Sequence, residues 1–401
     1  MLLSNAFRPD PRVLKEARSL AGAGYQVTVI AWDREGNFPA EDQTEGFAVQ
    51  RVQEVRSSYG AGLAQALRLP RFWLHAWRRL SRLRPDVVHC HDFDTLPPGW
   101  LWAKTHRRPV IYDAHEYYTE LQRPRLRGLA GKVLLPLIAA AEQALSRSAA
   151  AVVTVDERIA RRYRNRRVVV IGHYPPVGFA ASPSDSPSPS LSLGGRGAGG
   201  AGGGGGGGAG GGGGVVYAGR FSTDRGMVVM AEALQRLAAQ GLRPRLRLLG
   251  TWTSQVEERA FWQAMAGLED QVEMAGWVPF EQVATQLAAA DVALAVLQPI
   301  ERYTVALPVK LFEYMACGLP VVVSDFPANR AVVAGSECGI LVDPTDASAV
   351  ADAMARLLSD PAEARRLGAN GRRAFETQYN WSALELKLLA LYAEVSRQVD
   401  K

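Results

Sequence analysis

Cysteine is scarce in this sequence: Cys90, Cys317 and Cys338 are the only three in 401 residues. An odd number, widely spaced and in apolar surroundings, excludes a disulfide framework and points to reduced thiols. Long apolar runs are also missing, and none reaches the length of a bilayer span. The N-terminus has no basic-then-apolar leader, so a cytoplasmic location is expected. No G-x-G-x-x-G follows a first strand, which counts against a dinucleotide-dependent oxidoreductase. Nucleic-acid recognition motifs are absent as well, so no nucleic-acid partner is expected. What remains is ordinary globular composition, 47% hydrophobic and 21% charged, over a length that predicts two domains.

The charge is unevenly spread. Residues 1–180 hold 27 Lys and Arg against 17 Asp and Glu, whereas the remainder holds 19 against 23. A basic first half suits an anionic partner, such as acidic lipid headgroups or a polyanionic acceptor. Within it, residues 59–84 form a basic amphipathic segment. Leu69, Phe72, Trp73, Ala76, Trp77 and Leu80 share one face, opposed by Arg71, Arg78, Arg79, Arg82 and Arg84. Such a segment is either an interfacial helix at a membrane or a packed helix with a solvated basic face.

The most informative stretch runs from Tyr303 to Asp325. Pro308 suits the first turn of a helix, Gly318 its end, and Leu319–Ser324 a buried parallel strand. A helix N-terminus offers free N–H groups and positive partial charge to a pyrophosphate, and Lys310 adds a mobile cation. Glu313 can accept two hydrogen bonds from a vicinal diol such as a ribose. The competing reading is an exposed intrahelical Lys310–Glu313 pair.

Elsewhere strands and helices alternate. Val13, Ala17, Leu20 and Ala21 fall at helical spacing before a strand at Tyr25–Ala31. Asp10 and Arg12 either touch a ligand or brace that helix. A buried strand ending D-V-V-H-C leads into H-D-F-D. On a strand His89 and His91 share one face while Cys90 points away, and no metal site is expected there. The next strand, Pro109–Tyr112, ends in D-A-H-E. Strand ends of this kind face the ligand crevice of an open α/β sheet. His115 there either hydrogen-bonds a ligand or is satisfied by Asp113 or Glu116. Residues 122–148 are expected as a core helix with a basic start. Residues 181–214 are Ser/Pro-rich, then nearly pure Gly, and read as a flexible tether. Beyond them, V-V-Y-A-G-R-F-S-T-D-R-G-M opens a second β/α series.

P-V-K-L-F-E-Y-M-A-C-G-L-P-V-V resembles the donor-site segment of retaining, nucleotide-sugar-dependent GT-B glycosyltransferases of the family-4 type (the group 1 glycosyltransferases). H-x-H-D, D-A-H-E and G-R…R-G resemble further motifs of that family. The resemblance implies two facing Rossmann-like doubly wound domains with a deep interdomain cleft. It places an acceptor-side domain at 1–180, with a C-terminal helix (381–399) packing back on it, and a nucleotide-sugar domain at 215–380. Donor binding falls to Gly219, Arg220, Arg225 (where Lys is usual), Lys310 and Glu313. His115, Arg220 and Lys310 are the catalytic candidates, and His91, Asp92 and Glu116 lie on the acceptor side. Gly250-Thr251, Trp277 and Val278 resemble positions near the base. The family's second Glu, eight residues before Glu313, is replaced by Val305.

The implied activity moves a sugar from a nucleoside-diphosphate sugar, as co-substrate, to a lipid-linked or glycan acceptor with retention. No cofactor is implied, and the setting is envelope synthesis at the inner face of the cytoplasmic membrane. A non-catalytic nucleotide-sugar-binding or assembly protein is the alternative.

Overall fold

Two alternating β/α series build two separate parallel sheets, because strands buried on both faces need helices on each side. The computed structural model describes residues 1–7, 10–44, 46–57, 63–116, 118–123, 126, 128–180 and 214–397. The tether expected at 181–214 lies outside them except for its last residue. One unit comprises Met1–His173 with the chain from Trp381 on, and the other comprises Tyr174–Asn380.

The first unit begins with β1 (Leu2–Leu3), α1 (Pro11–Gly22), β2 (Thr28–Trp32), β3 (Glu41–Thr44) and β4 (Phe47–Val52). It continues through α2 (Leu63–Leu83), β5 (Val88–His91), α3 (Leu96–Thr105), β6 (Val110–Ala114) and α4 (Tyr118–Gln122). Next come α5 (Gly128–Ser148), β7 (Ala151–Thr154), α6 (Glu157–Ala160) and β8 (Val168–Val170). The sheet order is β3-β4-β2-β1-β5-β6-β7-β8, parallel except for the β3–β4 hairpin, which lies in a stretch with little sequence signal. β2 starts at Thr28, three residues later than expected, because the α1 end turns through Gly24 and Tyr25 N–H still donates to Leu20 O.

The second unit holds β9 (Val215–Phe221), α7 (Met227–Ala239), β10 (Leu246–Trp252), α8 (Gln255–Ala264), β11 (Val272–Gly276) and α9 (Phe280–Leu287). It continues with β12 (Val292–Ala295), α10 (Glu301–Thr304), α11 (Val309–Ala316), β13 (Val321–Ser324) and α12 (Pro327–Ser336). β14 (Gly339–Val342), α13 (Ala347–Ser359) and α14 (Pro361–Thr377) complete it. Its order is β11-β10-β9-β12-β13-β14, parallel throughout. Residues 174–180, assigned from sequence to the first domain, belong here: Tyr174 packs on Phe312 and Tyr379, and Phe179 on Phe280. The final helix, α15 (Trp381–Ser396), belongs to the first unit, where Trp381 Nε1–H donates to Ser19 Oγ of α1 at 2.9 Å.

Strand alternation sorts the cores. In β9, Val215, Tyr217 and Phe221 face α7, α8 and α13, while Val216 and Ala218 face α9, α11 and α12. In the first sheet, Val88, Cys90, Val110 and Tyr112 face α2 and α3. The alternate residues of β5 and β6, His89, His91 and Asp113, therefore take the opposite face, with α1 and α15. The strand order reverses at β1/β5 in one sheet and at β9/β12 in the other. Such switch points leave a crevice beyond the carboxyl ends of the strands.

Candidate functional site

In the second unit, β9 ends at its switch point with Gly219 and Arg220, both exposed. A 3-10 turn, Thr223–Arg225, follows and closes on Gly226 at φ +83°. A Cβ on Gly226 would meet Val296 O at 1.9 Å, so only glycine fits. α7 starts there without a side-chain cap, and so does α11; Met227 N–H donates to Ser222 O and Leu311 N–H to Pro308 O, and the other first-turn N–H groups are what such helix starts offer an anion. Pro308, expected inside α11, is instead its extended N-cap residue (φ −72°, ψ 127°), because Val309 is the first helical residue.

α11 is pinned against the sheet by Tyr314, whose hydroxyl accepts from Ala218 N–H at 2.9 Å and donates to Leu294 O at 3.2 Å. That seating buries Lys310, one turn earlier. Its ammonium lies 3.5 Å from the centre of the Tyr217 ring, and a Cβ on Gly219 would stand 3.1 Å from it. No protein hydrogen-bond partner reaches Nζ among the described residues. The exposed intrahelical Lys310–Glu313 pair is corrected, since Lys310 is buried. The expectation of a mobile cation is likewise corrected, since the side chain is enclosed. Burial pushes the Lys310 ammonium well below its usual 10.5, with Arg225 adding to the fall and Glu313 opposing it.

Arg225 reaches the Tyr217 hydroxyl and lies 5.6 Å from the centre of the Tyr303 ring. Arg302, which pairs with Asp224, also lies over the Tyr303 ring, 4.7 Å from its centre. Gly219, Arg225 and Lys310 thus come together at one strand end, with Glu313 acting on the Lys310 charge. Arg220 is tied there through its backbone, whose carbonyl accepts from Tyr217 Oη at 3.1 Å. The aromatic pair Tyr217 and Tyr303 was not singled out from sequence, because an isolated tyrosine carries no periodic signal. Val305 ends α10, half-buried. Trp277, expected near the base, is 66% exposed.

In the first unit, His91 and Asp113 are register partners across β5 and β6. Asp113 Oδ2 lies 2.9 Å from His115 Nε2 and 3.1 Å from His91 Nδ1, and the two rings approach at 3.2 Å. Burial alone would lower the His115 imidazole, but Asp113, backed by Asp92, outweighs it and raises the pKa to about 9. His115 is therefore an imidazolium at neutral pH. Desolvation would raise Asp113, yet the two histidines hold it well below the usual carboxylate range. Asp92 adopts φ +62° with its carboxylate 4.0 Å from His115 Nδ1. Glu116 is exposed and stays outside this group. His173, which sequence reading passed over, stacks edge-on to His115 at 5.2 Å. Asp10 caps α1, accepting from Arg12 N–H and Val13 N–H and pairing with the Arg12 guanidinium, which is the bracing reading.

Glu16, His89, His91 and Asp113 bring donor atoms within 4.8 Å of one another and are the described residues that could hold a metal. Their rings argue against it. His89 and His91 stack at 4.4 Å, 17° from parallel, so their in-plane lone pairs do not converge on one point. Within the cluster Glu16 Oε2, His89 Nε2 and His91 Nε2 are buried with no hydrogen-bond partner among the described residues. Burial raises Glu16 well above its usual range, and His89 Nδ1 meets Tyr392 Oη at 2.8 Å. The three cysteines are free thiols, each pushed up to about 12 by burial.

Residues 12–173 match the family described as Glycosyltransferase Family 4, and residues 212–360 that described as Glycosyl transferases group 1. The chain belongs to the family-4, group 1 glycosyltransferases. Its similarity to a phosphatidyl-myo-inositol mannosyltransferase of Mycobacterium leprae is 31% identity over 188 residues, 47% of this chain and 48% of that one. Across curated relatives of comparable identity, the chain spans about a third to a half of their length (32%, 48% and 43%). Among solved structures, a sucrose-phosphate synthase from Thermosynechococcus elongatus superposes with a TM-score of 0.75 at 22% identity, covering 98% of both chains. HepE of Anabaena in complex with UDP gives 0.67 at 15%, covering 98% of this chain and 99% of that one. At these identities the likeness is one of fold, the GT-B fold of this glycosyltransferase family. Among the described residues, no helix is long and apolar enough to cross a membrane.

Proposed function

We propose that the chain transfers a sugar from a nucleoside-diphosphate sugar to a lipid-linked or glycan acceptor, with retention at the anomeric carbon, in envelope glycan or glycolipid synthesis. The observation that carries this reading is the enclosed Lys310 ammonium, which has no hydrogen-bond acceptor among the described residues and sits against Gly219 with Arg225 close enough to act on its charge. A buried cation without a hydrogen-bond partner costs several kcal/mol, and an anionic ligand relieves that cost.

The leaving diphosphate is held by Lys310, Arg225, Arg220 and the α7 N–H groups, while Glu313 accepts from the ribose hydroxyls. Positive groups aimed at the leaving oxygen stabilise its developing charge, so the reading needs no metal and no cofactor. In the transfer step the bond from the anomeric carbon to the phosphate oxygen breaks. The acceptor oxygen bonds the same face, and its proton passes to the departing phosphate. The His91–Asp113–His115 group, with Asp92, takes the acceptor-side role, His115 donating as an imidazolium.

The HepE complexes with UDP and with UDP-glucose support a nucleoside-diphosphate sugar as donor, and the phosphatidyl-myo-inositol mannosyltransferase relative supports a lipid acceptor. Val305 favours a second reading, donor binding without transfer. Donor turnover measured with and without candidate lipid acceptors separates the two. Release of nucleoside diphosphate that depends on Lys310 is the expected result, and tight binding with no turnover sinks the enzyme reading.

A further inference from the structure

The outer surface of the first unit is uneven. Of the eight large aliphatic side chains it exposes among the described residues, seven sit on α2, α3 and α5. Leu67 and Leu74 of α2, Leu101 of α3, and Leu134 and Leu137 of α5 are among them. The three helices form one layer. Trp102 Nε1–H of α3 donates to Ser81 Oγ of α2 at 3.0 Å, and Trp100 Nε1–H donates to Ser148 Oγ of α5 at 2.7 Å. Their inner sides pack on the same face of the sheet through Phe72, Ala76, Leu96, Trp102, Ile138 and Leu145.

The charge of this layer has a single sign. Seven exposed cations lie on the three helices, Arg71 and Arg78 among them, and the only carboxylate they carry is Glu142. Glu142 is fully buried, accepting from Tyr112 Oη and Tyr163 Oη at 2.7 Å each, so it neutralises nothing outside. α5, expected from sequence as a core helix, instead shows solvent Val133 and Leu137 at 60% exposure.

We infer that the α2–α3–α5 layer docks on an anionic bilayer surface, with the cations on the headgroups and the leucines in the acyl boundary. Aliphatic exposure and one-signed charge together fit that occupant. A single-stranded nucleic acid would favour exposed aromatics over leucines. A second copy meeting this face across a two-fold axis would press like cations together. The inference deepens the lipid-linked reading but stands on residues outside the donor site, so each fails separately.

The test is vesicle co-sedimentation of the full chain at low and high salt. One vesicle population is pure phosphatidylcholine, and the other contains a third phosphatidylglycerol. Binding to the anionic vesicles alone, weakened by salt, is expected. The exposed pairs Arg71→Glu/Arg78→Glu and Leu134→Asp/Leu137→Asp should each reduce partitioning about tenfold or more. Both variants should keep nucleoside-diphosphate binding in lipid-free buffer, which confirms folding and reads the donor site independently. Equal sedimentation with both vesicle types, no sedimentation with either, or variants that bind like the parent would overturn the inference. So would a concentration-dependent dimer dissolved by the leucine variant, which would assign the face to a second copy.

Discussion

The Lys310 ammonium and the Tyr217 ring face each other at 3.5 Å inside the second unit, and the ammonium has no hydrogen-bond partner among the described residues. An aromatic face returns part of a cation's lost hydration, about 2 kcal/mol when desolvated, and leaves the rest uncompensated. In the free protein Lys310 is thus a burden on stability. Lys310→Met, similar in length and apolar, should leave the melting temperature of the ligand-free protein unchanged or raise it, while removing nucleoside-diphosphate binding. A fall of several degrees in the ligand-free state would show that Lys310 serves the fold.

Binding should also move a proton. Burial holds the free Lys310 well below 10.5, and a diphosphate against it favours the ammonium again. The bound state therefore carries more protons, and affinity should weaken as pH rises from the free value toward the bound one. Calorimetry in buffers of different ionisation enthalpy should report proton uptake by the parent that is absent in Lys310→Met. Equal proton counts in both would separate Lys310 from the ligand.

Much of this was legible in the sequence, and the limits have physical causes. The G-R…R-G and P-V-K-L-F-E stretches carry their own backbone grammar, an αL glycine and a proline-led helix start, so the turn after β9 and the start of α11 could be placed. The enclosure of Lys310 could not be seen, because it follows from Tyr314 pinning α11 to β9 and β12, a contact spanning 96 residues. Asp113 read as a partner of its neighbour His115. Its second contact, to His91, exists only through the β5–β6 register. The outward leucines of α5 looked like core because an apolar run does not say which face meets the sheet.

The His115–Asp113 pair sets a pH window. The folded His115 is raised from 6.5 to about 9, so its contribution to stability is complete below 6.5 and lost as pH climbs through about 9. Within that window the slope is at most about 1.4 kcal/mol per pH unit. Asp113→Asn should flatten this slope and cost about 3 kcal/mol at neutral pH, less at about pH 10. Urea unfolding across the range checks it, and parallel stability curves for parent and variant would dismiss the pairing.

Gly226 tests the turn that presents Arg225 and the start of α7. Its φ of +83° and the 1.9 Å approach of a Cβ to Val296 O leave no room for a side chain. Gly226→Ala should destabilise the protein by roughly 2 kcal/mol or more, since the backbone carbonyl cannot swing away. Denaturant midpoints decide this, and a loss under about 0.5 kcal/mol would mean the turn relaxes freely.

The central claim is that one strand end, with Lys310, Glu313, Arg220 and Arg225 around it, grips a nucleoside diphosphate. Thermal shift against a series of nucleoside diphosphates tests it most directly, because a ligand that binds only the folded state raises its melting temperature. At least one diphosphate should stabilise the parent, and Lys310→Ala and Glu313→Ala should each abolish the shift. A shift that persists in both variants would contradict the account.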